Sequence, residues 1–170
     1  IDSRDGTEVL RIADAGSRCV FTPDGRQLIA LWYNRGIRRW DLTTGELIRE
    51  LELNPRRDHI FMAVNDDLDR YAYHTADAIE VRHLYTDELI HRLPDWRFAS
   101  CYSADGEVLM VAKSNSIHFY DAETHAIARE PATFGPAHVM ALEPHPNDDY
   151  VAVGMSNGAV LVANHAEPDA

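Results

Sequence analysis

Histidine is the residue type whose number in this chain first suggests chemistry, because imidazole is a common metal ligand and a proton carrier near neutral pH. The chain has nine histidines. His59, His74 and His138 fall near the ends of predicted strands, on loops that could bring them to one face of the molecule. No acidic residue or second histidine accompanies them at a fixed short spacing. We therefore predict no metal site, and a metal or cofactor held by these loop histidines is the alternative.

The other ionisable candidates fit ordinary strand and turn positions. His83, His91 and His118 alternate with apolar residues, as on the solvent-facing side of a strand. The acidic pairs Asp66-Asp67 and Asp148-Asp149 fall in turns, where no hydrophobic pocket would separate their pKa values for general acid and base catalysis. The sequence contains no GxSxG, HExxH or GxGxxG motif. We predict no catalytic residue, no cofactor and a protein that is not an enzyme.

Composition narrows the classes of partner. Of the 170 residues, 28 are acidic and 16 are Lys or Arg, giving a formal net charge of -12, and a surface of this sign repels phosphate backbones and anionic lipid heads. No apolar stretch is long enough to span a bilayer, so neither nucleic acid nor membrane is an expected partner. Cys19 and Cys101 lack CxxC spacing and are predicted to be small core side chains. We expect a cytoplasmic protein; because the chain begins without Met, an upstream region stays possible.

A repeated hairpin organises the chain. Cys19–Leu31 reads as an apolar run, a Pro-Asp-Gly turn and a second apolar run, and Cys101–Val111 has the same shape. The turn glycines at positions 25 and 106 lie 81 positions apart (106 − 25), which corresponds to two periods of about 40 residues. The intermediate copy is Met62–Tyr73 and the last copy is Ala141–Val153.

Each hairpin is followed by a third short run, and three of the four by a fourth run. The fourth runs, at 45–51, 87–93 and 125–129, alternate apolar and charged residues like an outermost strand. Four short strands every 40 or so residues predict an all-β fold. We predict that the units are β-propeller blades of four antiparallel strands, about four in number. We place them near 1–40, 41–82, 83–120 and 121–163 of a single domain covering 1–170.

The sequence resembles the WD-repeat (tryptophan-aspartate) β-propeller family at Phe21–Gly25 and Ile37–Leu47. These segments hold a Pro-Asp-Gly turn, the dipeptide Trp40-Asp41 at the end of the third run, and a Thr-Gly turn into the fourth. The other repeats are degenerate, since the equivalent dipeptides are Arg82-His83, Tyr120-Asp121 and Val162-Ala163. The resemblance implies a scaffold that recruits proteins. A propeller of another lineage, which shares blade geometry without this signature, stays an alternative.

The beginning of the chain aligns with the middle of a repeat. Ile1–Leu10 matches residues 40–48, which indicates a leading fourth strand. This strand could complete the last set of strands and close a four-bladed ring. Alternatively, the chain is a piece of a larger propeller whose further blades come from the same parent protein or from another chain. We favour the second interpretation, because an open arc of blades leaves sheet faces that need covering.

The loops that join strand two to three and strand four to one contain the residue types that anchor protein interfaces. We predict that a peptide or protein of acidic or aromatic character binds there, through Trp32, Tyr33, Arg35, Arg56, Arg57, Trp96 and Arg97. Covering the core between repeats is an equal explanation for the two tryptophans. The predicted function is a protein–protein interaction scaffold of WD-repeat type, and the alternative is a propeller enzyme or metal-binding propeller.

Overall fold

The computed structural model describes residues 8, 10–12, 18–22, 24–32, 36–52, 62–65, 69–75, 78–94, 99–146 and 149–164, and only the backbone of Arg18, Leu31, Trp32 and Met62. Within these ranges the chain forms β-strands and no helix. The described residues therefore include no helix long and apolar enough to cross a membrane.

The strands are short because turns interrupt each apolar run. In chain order they are β1 (Arg18–Phe21), β2 (Gln27–Trp32), β3 (Gly36–Asp41), β4 (Leu47–Glu52), β5 (Met62–Asn65), β6 (Arg70–His74), β7 (Ala78–His83), β8 (Leu89–Pro94), β9 (Ser100–Tyr102), β10 (Val108–Lys113), β11 (Ser116–Asp121), β12 (Ile127–Thr133), β13 (Val139–Pro144), β14 (Tyr150–Met155) and β15 (Val160–Asn164).

The strands form four antiparallel sheets, one from each hairpin repeat. The first three sheets have four strands each, in the orders β1-β2-β3-β4, β5-β6-β7-β8 and β9-β10-β11-β12, and the fourth sheet has the order β13-β14-β15. Consecutive strands are neighbours throughout, so each sheet is a meander of propeller-blade type. The all-β prediction is confirmed, and the predicted fourth runs are the outermost strands β4, β8 and β12.

Polar side chains hold the hairpin turns that the sequence predicts. In the first sheet, Thr22 Oγ1 donates a hydrogen bond to Asp24 Oδ1 at 2.5 Å, and Gly25 follows with a φ of 68°. Glycine adopts this left-handed conformation without the clash that a Cβ atom would cause. The third sheet repeats the arrangement with Ser103, Asp105 and Gly106.

The chain divides into two compact units, and the smaller one is Ile1–Asp58 with Tyr85–Asp87. Its described part contains the sheet β1–β4. This sheet buries apolar residues on both of its faces, Ile29 and Ile37 on one and Ala30 and Trp40 on the other. The guanidinium of Arg49 lies over the Tyr85 ring at 4.7 Å from its centroid, and Arg39 donates a hydrogen bond to the Tyr85 hydroxyl.

The larger unit, His59–Leu84 with Glu88–Ala170, contains the other three sheets. Its middle sheet, β9–β12, is buried on both faces because alternate residues of β10 point to opposite sides. Leu109 and Val111 belong to a core cluster with residues of β5–β8. Met110 and Ala112 belong to a second cluster with residues of β13 and β14. The alternation along one strand therefore joins three sheets into one unit.

The two cysteines differ in burial. Cys101 on β9 is buried, and burial raises the pKa of its thiol. Cys19 on β1 is exposed, so the prediction that both are core side chains is wrong for Cys19.

Candidate partner-binding edge

Most of the predicted partner-binding residues lie outside the part of the chain that the structure describes. These are Tyr33, Arg35, Arg56, Arg57, Trp96 and Arg97. Trp32 is described through its backbone alone, as the last residue of β2, paired with Gly36. The predicted loop surface thus stays a prediction.

The loop histidines that the structure describes have structural partners. His74 is buried, and its Nε2 atom lies 3.1 Å from Ser100 Oγ. His138 Nδ1 lies 3.2 Å from Ser114 Oγ, and His59 is outside the described residues. No three His, Cys, Asp or Glu side chains are grouped to hold a metal ion anywhere in the described ranges.

Two other histidines form a close pair that the sequence does not predict. The rings of His91, on β8, and His125, in the turn before β12, stack with centroids 4.6 Å apart and planes within 6° of parallel. His125 Nε2 is buried without a hydrogen-bond partner. Burial, together with the nearby His91 and Arg70, lowers the pKa of His125 to about 4. The imidazole of His125 is therefore neutral at physiological pH, and its ring packs flat against the ring of His91.

The clearest candidate for binding is the open edge of the fourth sheet. In the other three sheets the third strand, β3, β7 or β11, is covered by a fourth strand. Its counterpart β15 pairs with β14 on one side, and no described strand pairs with the other side. An edge strand of this kind presents unpaired backbone donors and acceptors to any extended segment.

The backbone N–H and C=O groups of alternate β15 residues, including Val160 and Val162, point away from β14. Met155 N donates a hydrogen bond to Ala159 O at 2.9 Å, which fixes the side on which β15 faces β14. Because backbone groups of successive residues in an antiparallel ladder point to opposite sides, those of Leu161 face β14 and those of Val160 and Val162 point away. The same two valines have side chains that are 72% and 71% exposed.

The residues beside these valines on the sheet are small and apolar. Val160 pairs with Gly154 and Val162 pairs with Ala152, so small residues lie next to both valines on the same face of the sheet. Gly154 is itself close to Ala141, since a Cβ atom on Gly154 would lie 3.2 Å from the Ala141 Cβ. Both valine side chains therefore stand above their neighbours and are accessible to a partner.

A comparison among the repeats shows that the edge is unusual. With the dipeptides at Trp40, Arg82, Tyr120 and Val162 aligned, the position two residues earlier is polar in three repeats, as Arg38, Glu80 and His118. The fourth repeat has Val160 there. β15 as a whole, with the sequence Val-Leu-Val-Ala-Asn, contains no ionisable side chain. A position that is charged or polar in the other three repeats is thus aliphatic at the open edge.

The described sheets define an all-β protein of β-propeller type. No protein-family model matches the chain, and no curated protein matches it. Among solved structures, the chain is similar to the crystal structure of the computationally designed Ika4 protein. The sequences are 18% identical, 94% of this chain and 98% of that chain are covered, and the TM-score is 0.59. This likeness shows the fold alone. In all, 1037 solved chains match, and a fold shared so widely does not specify a function.

Sequence reasoning finds that the last repeat lacks its own fourth run, but it does not identify the resulting edge as a binding surface, although two signals for it are present. A fourth run follows only three of the four hairpins, and the third run of the last repeat is continuously apolar from Ala159 to Ala163. Together they indicate a third strand that needs cover. The interpretation that Ile1–Leu10 supplies a leading fourth strand falls largely outside the described residues, which include only Glu8 and Leu10 of that segment.

Proposed function

We propose that the chain is a protein-interaction module of WD-repeat type whose open edge, β15, binds an extended segment of a partner protein. The observation that carries this proposal is the coincidence of two properties in Val160 and Val162. Both have outward-pointing backbone groups, and both have side chains more than 70% exposed. A strand added at this edge satisfies the backbone and covers the side chains at once.

Strand addition suits this surface because its affinity comes mainly from backbone hydrogen bonds. Main-chain bonds hold the segment, and side chains on alternate residues select its sequence. Each favourable cross-strand pair adds about 0.2–1 kcal/mol. β15 has no charged side chain, so covering its edge buries no unpaired charge of this strand.

The loop surface defined by Trp32, Tyr33, Arg35, Arg56, Arg57, Trp96 and Arg97 enters the proposal as a second contact for the same partner. Tryptophan, tyrosine and arginine are the residue types most enriched at binding hot spots. The partner we propose is a protein, because a net charge of -12 disfavours nucleic acid and anionic membrane surfaces. A cytoplasmic location is part of the same proposal.

The test uses an eight-residue peptide with the sequence of Gly45–Glu52, which contains a strand that covers an equivalent edge in the first sheet. Isotope-labelled protein is titrated with this peptide, and backbone amide shifts are followed by NMR. We expect the largest shifts at Val160 and Val162. Shifts confined to other strands, or no shifts at all, would contradict the proposed edge.

A matched pair of variants at one position isolates the backbone contribution. Val162→Pro removes an outward N–H group without removing a bond to β14, whereas Val162→Thr keeps the N–H group and the branched shape. We expect the proline variant to bind the peptide about tenfold more weakly, because it loses a hydrogen bond and its ring blocks the approaching strand. The threonine variant should stay within about threefold of the parent protein. Thermal unfolding checks that both variants are folded.

A further inference from the structure

We infer that a partner segment containing several Asp or Glu residues binds at one end of the third and fourth sheets, where Ser114, His138 and Ser156 come together. The inference rests on the proposed function in one respect, that a partner protein supplies the segment. It does not depend on strand addition at β15. It adds the chemistry that the partner presents to a second place on the molecule.

The connections at this end differ in charge from the rest of the chain. They are residues 113–116, 133–138 and 155–159, which contain no Asp or Glu but include Lys113 and His138. The whole chain has a formal net charge of -12, and Lys113 is its only lysine. We call these three connections the carboxylate-free end.

The opposite end of the same two sheets is acidic. Around its turns lie Asp105, Glu107, Asp121, Glu123 and Asp149. Successive turns of an antiparallel meander alternate between the two ends of the sheet, so these side chains lie together at one end. A negatively charged segment is repelled there and is favoured at the carboxylate-free end.

Hydrogen bonds hold the carboxylate-free end in one arrangement. Ser114 Oγ lies 3.2 Å from His138 Nδ1, and Val139 N donates to Ser114 O at 2.7 Å. His138 N donates to Ser156 Oγ at 3.0 Å, and Ser156 N donates back to His138 O at 2.8 Å. All three connections therefore meet at His138. A site that is already fixed loses little conformational entropy when it binds.

Two hydrogen-bond donors are available to a carboxylate here. His138 is exposed, and none of the described residues forms a hydrogen bond with its Nε2 atom. When Nδ1 accepts the hydroxyl proton of Ser114, the ring proton is on Nε2 and can be donated. Ser156 Oγ accepts from His138 N, so its own hydroxyl proton can also be donated. Hydrogen bonds to an ionised carboxylate are stronger than those between neutral groups.

The backbone of Ser114 supports a role for its hydroxyl group. Ser114 lies in the turn that joins β10 to β11 and has a positive φ of 57°. Glycine adopts this conformation without strain, but it has no hydroxyl group to contact His138. Strained residues of this kind are concentrated at functional sites. The serine therefore keeps the contact with His138 at a cost in backbone strain.

Carboxylates of this chain are the competing occupants. Ser114, His138 and Ser156 are exposed, so no described residue covers them. Among the residues that the structure does not describe, Asp77 and Asp95 each stand alone in a connection of the larger unit. A partner segment can present several carboxylates to these donors and to Lys113 at once, and we therefore favour a partner.

The experiment measures the anisotropy of two fluorescein-labelled peptides, Gly-Asp-Glu-Asp-Glu-Gly and its amide counterpart Gly-Asn-Gln-Asn-Gln-Gly. We expect the parent chain to bind the acidic peptide about tenfold more tightly than the amide peptide. His138→Ala removes the Nε2 donor and should weaken binding of the acidic peptide about tenfold. Ser114→Gly should weaken it about threefold without lowering the melting temperature, because glycine suits the positive φ.

The matched control is His145→Ala, which removes an exposed histidine from the acidic end of the fourth sheet. It should bind the acidic peptide as the parent chain does. Equal affinity of the parent chain for the two peptides would overturn the inference of an acidic segment. A loss in His145→Ala as large as that in His138→Ala would show that binding is not at the carboxylate-free end, and would overturn the inference as well.

A further variant tests whether the chain fills the site itself. It replaces carboxylates outside the described residues by amides, as Asp2→Asn, Asp5→Asn, Asp77→Asn, Asp95→Asn, Glu167→Gln and Asp169→Asn. Tighter binding of the acidic peptide by this variant than by the parent chain would assign the site to the chain's own carboxylates. The proposed function is decided separately, by the amide shifts at Val160 and Val162 with the peptide Gly45–Glu52.

Discussion

His125 shows how one side chain can link this fold to pH. Its backbone has a positive φ of 61°, its ring stacks on His91, and Arg70 donates hydrogen bonds to the carbonyl oxygens of the neighbouring residues Ala122 and Glu123. The charges around the ring are therefore Arg70 and any proton on His91, which oppose its protonation, and Asp121, which favours it. Burial is the largest cause of the lowered pKa.

The first prediction at this scale concerns acid stability. The pKa of His125 is lowered from 6.5 to about 4 in the folded chain, so the unfolded chain takes up a proton first as the pH falls. The contribution of His125 to stability is therefore fully present above about pH 6.5 and is lost towards pH 4. We expect the urea midpoint to fall between pH 7 and pH 4.5, and to fall less in His125→Asn, since asparagine tolerates positive φ.

The control for this prediction is His118→Asn. Burial also lowers the pKa of His118, but the described structure shows no stacking of its ring on another histidine. The two variants together separate the stacked pair from an ordinary half-buried histidine. An unchanged pH dependence in His125→Asn would show that the stacked pair does not couple folding to pH.

A second prediction at the residue scale concerns the two turn glycines. Gly25 and Gly106 have similar φ values of 68° and 75°, but a Cβ atom on Gly25 would meet open space, whereas one on Gly106 would lie 3.0 Å from Asn65 Nδ2. Asn65 is buried, and its Nδ2 donates to Gly106 O at 2.7 Å. Gly25→Ala should cost about 1 kcal/mol of unfolding free energy for the left-handed backbone alone. Gly106→Ala should cost about 2 kcal/mol, because the Asn65 contact is also disturbed. Urea titration measures both values, and equal costs would contradict the role of Asn65.

At the scale of the element, the strands were predictable and their covering was not. Apolar runs broken by Asp-Gly turns predict hairpins, because the side-chain period of two and the positive φ of the turn are local properties. The sequence alone therefore predicts hairpins at residues 19–31 and 101–111. The absence of a fourth run after the last hairpin indicates from the sequence that this repeat has an uncovered strand. The contact between His91 and His125 is non-local and follows from no local pattern.

The prediction at this scale concerns β10, the central strand of the larger unit. Leu109 and Met110 are adjacent, point to opposite faces and are both fully buried. Leu109→Ala and Met110→Ala should each cost about 2–5 kcal/mol, because each leaves a cavity between two sheets. Ile127→Ala, at an exposed residue of the same sheet, should stay within about 0.5 kcal/mol. Chemical denaturation measures all three, and a small effect at either buried residue would show that its face is loosely packed.

At the scale of the whole molecule, the period of the repeat predicts the class of fold. It does not predict the function, which depends on particular binding residues. The period of about 40 residues was readable because each unit is one supersecondary structure with the same turns. The predicted binding residues were chosen from loops, and loops are the parts of a repeat whose positions depend least on the repeated pattern. The likeness to a designed protein at 18% identity agrees with this division. Geometry of this kind can be specified by very different sequences.

The composition of β15 has a consequence for how the protein behaves before it meets a partner. Natural sheet borders are usually guarded by lysine, proline or an inward charge, which discourage chains from stacking border to border. Val-Leu-Val-Ala-Asn offers none of these guards, so the free chain should become less soluble as its concentration rises. Adding a segment that pairs with this border, as we propose a partner does, should restore the solubility of the chain.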